Sequence, residues 1–259
     1  MKIALVGYGK MGHMIEECAK SLGHEVVATV DVIAEDASVK IPAGDGDAVA
    51  RAVKSSGAEG VIEFSHPAAV MGNIKALLPL GLPIVVGTTG WNDRHDEVNK
   101  LAAECGGTIM TSSNFSIGVN MLYKIIDEAV KIMEAFPEYD IATWEAHHNQ
   151  KKDAPSGTAM TAFEVIAESL ERDPEGVGVY GRHGMVGKRT PEEIGIHAIR
   201  GGDIVGDHTV LFVGDGERIE VIHRASTRQA FVNGVIRALN YLMTKQEKPI
   251  ADMFDVLGL

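Results

Sequence analysis

Residues 2–12 read Lys-Ile-Ala-Leu-Val-Gly-Tyr-Gly-Lys-Met-Gly, an apolar run that ends in a G-x-G-x-x-G turn. The run itself, Lys2–Val6, predicts a short strand, and the residues after the turn carry apolar side chains at helical spacing. A second strand is predicted over Glu25–Val30, and it leads into Asp31, nineteen residues after Gly12. A glycine turn between strand and helix, followed by an acidic residue about 20 positions on, predicts a dinucleotide-binding βαβ unit.

Each residue of this fingerprint has a physical role. Gly7 makes the tight turn, Gly9 lets a pyrophosphate approach the backbone, and Gly12 lets helix and strand pack closely. Asp31 should accept hydrogen bonds from the hydroxyls of the adenine ribose. The predicted cofactor loop therefore consists of Gly7, Gly9, Lys10, Met11 and Gly12, with Lys10 as a candidate phosphate contact.

The rest of the first half alternates strands with helices. Further strands are predicted over Gly60–Phe64, Pro83–Val86 and Thr108–Thr111. Helices are predicted between the strands, at about Asp47–Ser55, at Ala69–Leu78 and at Trp91–Glu104. This alternation predicts a parallel sheet, in which ligands bind beyond the carboxyl ends of the strands. The residues at those ends are candidates to line the nicotinamide half of the cofactor site: Phe64, Ser65, Gly87, Thr88, Thr89, Ser113 and Phe115.

The second half leaves this alternation. A long helix and four strands are predicted there: Ser116–Glu134, Tyr139–Trp144, Ile194–Ile199, Val205–Val213 and Glu217–His223. Asp173–Pro191 reads as irregular, and a last apolar-faced helix should dock back on the first domain. We therefore predict an α/β protein with a Rossmann-like dinucleotide-binding domain at 1–115 and 226–259. An α+β substrate-binding domain with a mixed sheet is predicted at 116–225.

A polar stretch, Glu145–Ala159, should carry the chemistry. It reads Glu-Ala-His-His-Asn-Gln-Lys-Lys-Asp-Ala-Pro-Ser-Gly-Thr-Ala and joins a strand end to the first turn of a helix. A pair of histidines alone is most often a solvated loop, and Pro-Ser-Gly-Thr alone is an ordinary helix start. Together they place proton donors and cations beside backbone N–H groups that can bind an anion. The combination predicts chemistry on a substrate that carries carboxylates.

Composition excludes several classes of function. The net charge of −12 argues against nucleic acid or an anionic membrane as the main partner. No stretch of the sequence approaches the length of a membrane span. Two cysteines in 259 residues predict no disulfide framework and fit a cytoplasmic protein. No metal site is predicted, because neither cysteine lies near the histidines and adjacent strand residues point to opposite faces.

Taken together, these residues resemble the 4-hydroxy-tetrahydrodipicolinate reductase family, also called dihydrodipicolinate reductases. The resemblance covers nearly the whole chain. Its most specific parts are Glu145–Ala159 and Glu193–Thr209, which reads Glu-Ile-Gly-Ile-His-Ala-Ile-Arg-Gly-Gly-Asp-Ile-Val-Gly-Asp-His-Thr. His223–Arg228 and the Gly-Thr-Thr-Gly loop at 87–90 add to it. The family implies reduction of 4-hydroxy-tetrahydrodipicolinate, a small dicarboxylate, by NADH or NADPH in lysine and diaminopimelate biosynthesis. It also implies a homotetramer assembled through the substrate domain.

The resemblance also implies roles for individual residues. His147 and Lys151 correspond to a proton-donating pair. His148 and the backbone of Gly157 and Thr158 correspond to groups that hold substrate carboxylates, with Thr89 nearby. These roles fit the chemistry, since hydride arriving at C4 of the dehydrated, conjugated ring pushes charge towards C3 and the ring nitrogen, where an acid must supply a proton.

The sequence departs from the family pattern after the second strand. Many members carry an arginine there that would pair with the 2′-phosphate of NADPH, whereas Asp31 is followed here by Val32 and Ile33. Some members also have an arginine where His66 stands. The Asp31 carboxylate repels a phosphate at the 2′ position, so we expect NADH to be used at least as well as NADPH.

Two other functions stay open from the residues alone. One is a different two-domain dehydrogenase acting on amino or oxo acids, against which the stretch Glu145–Thr158 argues. The other is a redox-sensing module that binds NADH and signals through its second domain. That module would need an interaction tail or a DNA-binding helix, and the acidic chain offers neither.

Overall fold

The computed structural model describes residues 1–91, 94–244 and 250–259. They form two compact units, one of Met1–Ile117 with Gln229–Leu259 and one of Gly118–Arg228. The strands are β1 (Lys2–Val6), β2 (Glu25–Asp31), β3 (Val39–Lys40), β4 (Gly60–Glu63), β5 (Ile84–Val86), β6 (Ile109–Thr111), β7 (Asp140–His147), β8 (Gly178–Tyr180), β9 (Ile194–Arg200), β10 (Asp207–Gly214), β11 (Glu217–Arg224) and β12 (Ile250–Ala251). The helices are α1 (Lys10–Ser21), α2 (Gly46–Ser56), α3 (Pro67–Leu77), α4 (His95–Cys105), α5 (Ile117–Met133), α6 (Gly157–Ser169), α7 (Pro174–Val177), α8 (Gln229–Met243) and α9 (Met253–Leu257), with a 3₁₀ turn at Leu78–Leu80.

The first unit is built on a parallel sheet with the strand order β3-β2-β1-β4-β5-β6-β12. Alternate residues of β1 enter two separate cores: Ile3 and Leu5 pack with α1 and α8, and Ala4 and Val6 pack with α2 and α3. A sheet covered on both faces needs strands that are apolar throughout, as Lys2–Val6 nearly is. The predicted Rossmann-like fold is confirmed.

The second unit is built on a mixed sheet with the order β11-β10-β7-β9-β8. Strand β7 pairs antiparallel with β10 and parallel with β9, and β8 pairs parallel with β9. The predicted mixed sheet is confirmed. Because β7 is central, its pairing continues to His147, three residues beyond the predicted end at Trp144. This extension places Glu145 and His147 on one face of the sheet.

Two other predictions about elements are corrected by the structure. Asp173–Pro191 was expected to be irregular, but it contains α7 and β8. The Asp173 side chain caps α7 by accepting from the Glu175 N–H, and Pro174 at the first position starts the turn. The helix predicted over Trp91–Glu104 begins at His95, while positions 92 and 93 lie outside the described residues. Within the described part of the chain, no helix is long and apolar enough to cross a membrane.

Candidate active site

In the glycine loop, close packing leaves no room for a side chain at Gly7 and Gly12, but it does leave room at Gly9. Gly7 has φ +92°, and a Cβ there would lie 2.1 Å from the carbonyl oxygen of Phe64. A Cβ on Gly12 would lie 2.6 Å from the carbonyl oxygen of Gly7. A Cβ on Gly9, by contrast, would meet nothing within 4 Å. The space beside Gly9 is therefore open for a ligand to approach the backbone at the start of α1, as a pyrophosphate does in dinucleotide-binding folds.

Asp31 ties the glycine loop to the end of β2. Its Oδ2 accepts from the Tyr8 N–H at 2.6 Å, and its Oδ1 accepts from the N–H groups of Ile33 and Ala34 at 2.7 and 2.9 Å. Burial raises the pKa of this carboxyl, but hydrogen bonds from Ala34, Tyr8 and Ile33 together lower the pKa below its ordinary value. These backbone donors keep the carboxylate ionised beside the glycine loop, where the fingerprint expects it to meet a ribose hydroxyl.

A cavity of about 460 Å³ opens beside these residues, within the size range of small-molecule sites. Five residues predicted to bind the cofactor line it: Gly7, Gly9, Asp31, Phe64 and Ser65. Other lining residues were not predicted, chiefly Ile33, Ala34, Ile41, Gly44, Ala69 and Asn73. The open space at Gly9, the Asp31 carboxylate and this cavity fit a dinucleotide.

Buried beneath these loops lies a carboxylate that the sequence reasoning missed. Glu63 ends β4 with no exposed surface, and it accepts hydrogen bonds from the hydroxyl of Thr88 at 2.6 Å, the amide of Asn73 at 3.0 Å and the hydroxyl of Ser65. The Ser65 N–H in turn donates to the Thr88 hydroxyl at 2.8 Å. Glu63 thus joins two predicted cofactor loops, and a charged residue at the end of an apolar strand was the available signal.

The remaining residues predicted for the cofactor site do not line the cavity. A Cβ on Gly87 would overlap the Phe64 ring, whose centroid lies 6.1 Å from that of buried Phe115. Three more are exposed and one is half-buried: Lys10, Thr89, Ser113 and Met11. Their contribution to cofactor binding stays a prediction.

In the second unit, the residues around His147 form a buried ionic cluster. Glu145 has no exposed surface, and its oxygens accept two parallel hydrogen bonds from Arg200, at 2.9 and 2.8 Å. The same carboxylate accepts from His147 Nδ1 at 2.5 Å and from the Ser156 N–H at 3.1 Å. His208, opposite Glu145 on β10, lies edge-on to His147 with ring centroids 5.2 Å apart.

The protonation states follow from these contacts. Burial raises the pKa of Glu145, but hydrogen bonds from Arg200 and His147 bring the pKa below its usual value, so Glu145 is ionised. Burial lowers the pKa of His147, Glu145 raises it, and the charges of Lys151 and Arg200 lower it further. Burial and the neighbouring His147 lower the pKa of His208 to about 3. An ionised Glu145 can only accept, so the proton of a neutral His147 lies on Nδ1 and Nε2 is left for a substrate.

The loop after β7 carries the other predicted residues of this site. Lys151 forms an ion pair with Asp153 at 2.9 Å, and Arg200 Nη2 donates to the Asp153 carbonyl oxygen at 2.5 Å. Gly157 and Thr158 form the first turn of α6, and a Cβ on Gly157 would meet nothing within 4 Å. His148 lies half-buried at the start of the loop.

The structure therefore brings His147, Lys151, Gly157 and Thr158 together within one unit, whereas Thr89 belongs to the other unit. No individual role was predicted for Glu145, Arg200 or His208, although all three lie in the quoted motifs. Among the described residues, no group of three or more His, Cys, Asp or Glu side chains is arranged to hold a metal ion.

Comparison with known proteins gives matches over the whole chain. Residues 1–115 match the family model described as "Dihydrodipicolinate reductase, N-terminus", and residues 118–257 match "Dihydrodipicolinate reductase, C-terminus". The 4-hydroxy-tetrahydrodipicolinate reductase of Methanobrevibacter smithii is 46% identical over 274 aligned positions, covering 100% of this chain and 99% of the relative. The protein of that name from Methanosphaera stadtmanae is 55% identical over 77% of this chain and 72% of its own.

Among solved structures, the chain resembles a dipicolinate-bound dihydrodipicolinate reductase from Paenisporosarcina sp. TG-14. The TM-score is 0.74, with 23% sequence identity over 98% of both chains. A scyllo-inositol dehydrogenase from Lactobacillus casei with bound NAD(H) has a TM-score of 0.60 at 12% identity, covering 99% of this chain and 93% of that one. At these identities, the likeness shows the shared fold.

Proposed function

The chain belongs to the dihydrodipicolinate reductase family, and on that premise we propose that it reduces 4-hydroxy-tetrahydrodipicolinate to tetrahydrodipicolinate in lysine and diaminopimelate biosynthesis. The observation that carries the mechanism is the buried contact of His147 with Glu145 beside a cationic loop and an open helix start. These groups suit a reaction in which a dicarboxylate takes up a hydride and a proton.

The first unit holds the nicotinamide cofactor. The backbone at Gly9 is open to the pyrophosphate, and the ionised Asp31 lines the same cavity, where it can meet the ribose. A reduced nicotinamide bound in this unit supplies the hydride. Ser65 and Thr88, held through Glu63, keep the loops after β4 and β5 in place around it.

The second unit holds the substrate and supplies the proton. The N–H groups at Gly157 and Thr158 and the helix dipole of α6 bind one carboxylate, and Lys151 and His148 attract the other. The dianion raises the proton affinity of His147, which carries a second proton on Nε2 once the substrate is bound. Loss of the 4-hydroxyl group together with a hydrogen of the neighbouring ring carbon, as water, first gives the conjugated ring. The hydride then adds to C4 and His147 gives its proton to C3, so that one hydride and one proton are taken up and one water leaves.

NADH should be used at least as well as NADPH. The support for this preference is the charge beside the ribose site, where Asp31 is ionised and is followed by the apolar Val32 and Ile33. Steady-state kcat/KM values for the two cofactors test it. A strong preference for NADPH would show that the charge of Asp31 does not control the choice.

We also propose that the protein is a homotetramer assembled through the second unit. On the sheet face opposite to His147, the side chains of Ile199, Val213 and Ile222 are exposed, and an exposed apolar face favours association. Analytical ultracentrifugation tests this, and a monomer at micromolar concentration would contradict it. A cytoplasmic location stays a prediction from the two free cysteines.

A coupled assay tests the activity. Pyruvate and aspartate semialdehyde are condensed by the upstream synthase, and oxidation of the reduced nicotinamide is followed by its absorbance on adding this protein. The matched control is His147→Gln, which removes the acid and keeps a polar side chain at this position. Reduction of an oxidised nicotinamide by homoserine or aspartate would instead favour another amino-acid dehydrogenase. Binding of NADH without turnover of any of these substrates would favour a redox-sensing module.

A further inference from the structure

We propose that Glu145 and Arg200 are positioning residues for the proton transfer. Glu145 binds the Nδ1–H of His147 and so directs Nε2 of that ring to the substrate. Arg200 is the counter-ion of Glu145. This inference rests on the proposed function for its catalytic consequence. The tautomer of His147 that it predicts can be measured without the reaction.

The first support is that Glu145 organises three separate parts of the site. It accepts from His147 on its own strand, from the N–H of Ser156 just before α6, and from Arg200 on β9. A carboxylate without any exposed surface requires this number of donors, because a buried charge that is left unpaired is costly. One side chain thereby fixes the acid and the start of the helix that should bind the carboxylate.

The second support is the position of Arg200. Besides its two bonds to Glu145, Arg200 Nη2 donates to the carbonyl oxygen of Asp153, whose carboxylate pairs with Lys151. Arg200 therefore holds the loop that carries Lys151 against the strand that carries His147. Losing Arg200 would release this loop as well as the charge on Glu145.

The third support is the space at Nε2. A Cβ on Gly206 would lie 3.0 Å from His147 Nε2, so a larger residue there would crowd this nitrogen. The ring cannot turn over freely, since Nδ1 is bound to Glu145 and the edge of His208 packs against it. The arrangement leaves Nε2 as the nitrogen that can exchange a proton with a ligand.

The charged and titratable groups that face His147 come from four elements. They are Glu145 on β7, Lys151 in the following loop, Arg200 on β9 and His208 on β10. Glu145 raises the pKa of His147, and the charges of Arg200 and Lys151 lower it; the neutral His208 contributes no charge at working pH. Removing Glu145 and removing Arg200 should therefore move the pKa of His147 in opposite directions. A role limited to packing has no reason to produce opposite shifts.

The test uses NMR of the full-length protein with ¹⁵N-labelled histidine, in which ¹⁵N shifts and couplings report the protonated ring nitrogen. His147→Gln identifies the signals of His147 among the ten histidines. In the wild type, we expect neutral His147 to be protonated on Nδ1 only. In Glu145→Gln the pKa of His147 should fall, and in Arg200→Gln it should rise.

Kinetics provide the second measurement. Glu145→Gln should lower kcat by about 10²–10⁴-fold, the range for a mispositioned acid or base. It should also move the alkaline limb of the kcat/KM profile to lower pH, because a general acid acts in its protonated form. If a variant does not fold, the wild-type tautomer still tests the proposal.

Protonation of wild-type His147 on Nε2, or shifts of the same sign in both variants, would overturn the proposal. These outcomes are distinct from failure of the proposed function. If only the proposed function is wrong, the coupled assay shows no turnover, while His147 is still protonated on Nδ1 and its pKa still shifts in opposite directions in the two variants.

Discussion

Gly7 and Gly9 lie two residues apart in one loop, and the structure gives opposite reasons for the absence of their side chains. Gly7 has a left-handed backbone, and a Cβ would lie 2.1 Å from the Phe64 carbonyl oxygen. Gly9 has φ −79°, which any residue adopts, and a Cβ would meet nothing within 4 Å. We therefore expect Gly7→Ala to damage folding and Gly9→Ala to damage cofactor binding.

The loss of folding stability expected for Gly7→Ala has two parts. A left-handed backbone costs an ordinary residue roughly 1–2 kcal/mol. In addition, the Phe64 carbonyl must move by about 1 Å, although the Phe64 N–H is bound to the Val6 carbonyl at 2.7 Å and holds β4 beside β1. Overpacking of this kind costs about 1–3 kcal/mol. The sum of about 2–5 kcal/mol is a large part of a typical stability of 5–15 kcal/mol and should lower Tm by roughly 4–20 °C.

For Gly9→Ala, the main loss should be in the affinity for NADH. Alanine at a helix N-cap is a modest penalty, so we expect the free energy of unfolding to change by no more than about 1 kcal/mol. A methyl group in the space proposed for the pyrophosphate should cost about 1–3 kcal/mol of binding free energy, which weakens the binding of NADH by roughly 5–150-fold.

The assay pairs thermal denaturation without ligand with calorimetric titration of NADH, on the wild type and both variants. Each variant serves as the control for the other. Unchanged stability in Gly7→Ala would refute the packing argument. NADH affinity equal to wild type in a stable Gly9→Ala would refute the placement of the pyrophosphate beside this residue.

Further predictions concern single side chains. His147→Gln should lower kcat by about 10²–10⁴-fold with little change in KM, and a kcat near wild type in folded protein would remove His147 from the mechanism. Thr158→Val should raise KM and keep kcat, as steady-state kinetics would show; a loss confined to kcat would speak against a binding role. Burial raises the pKa of Glu63 more than its hydrogen bonds lower it. A carboxyl with a raised pKa contributes stability that is present below about pH 4.3 and is lost as pH rises through its folded pKa. Glu63→Gln should therefore gain stability relative to wild type as pH rises above about 4.3 in denaturant titrations, and a relative loss would show that the three donors outweigh burial.

Local patterns were sufficient for most of the fold. The glycine turn with Asp31 predicted the βαβ unit, because turn geometry, helical periodicity and strand composition act within about thirty residues. The strands predicted over Val205–Val213 and Glu217–His223 correspond to β10 and β11, which pair as a hairpin joined by Asp215 and Gly216. Strand ends were less predictable. The extension of β7 to His147 depends on its partners β9 and β10, which are distant in sequence.

The class of the protein, the alternation of strands and helices in its first half and the polar stretch Glu145–Ala159 are all readable from the sequence. It did not determine how that stretch is supported. Arg200 lies 55 residues from Glu145, and His208 meets Glu145 only through the register of β10 on β7. Which charges face His147 depends on the folded structure, since strand register sets which side chains share a sheet face. Burial then sets how strongly those charges act on one another, because the interior screens them far less than water does.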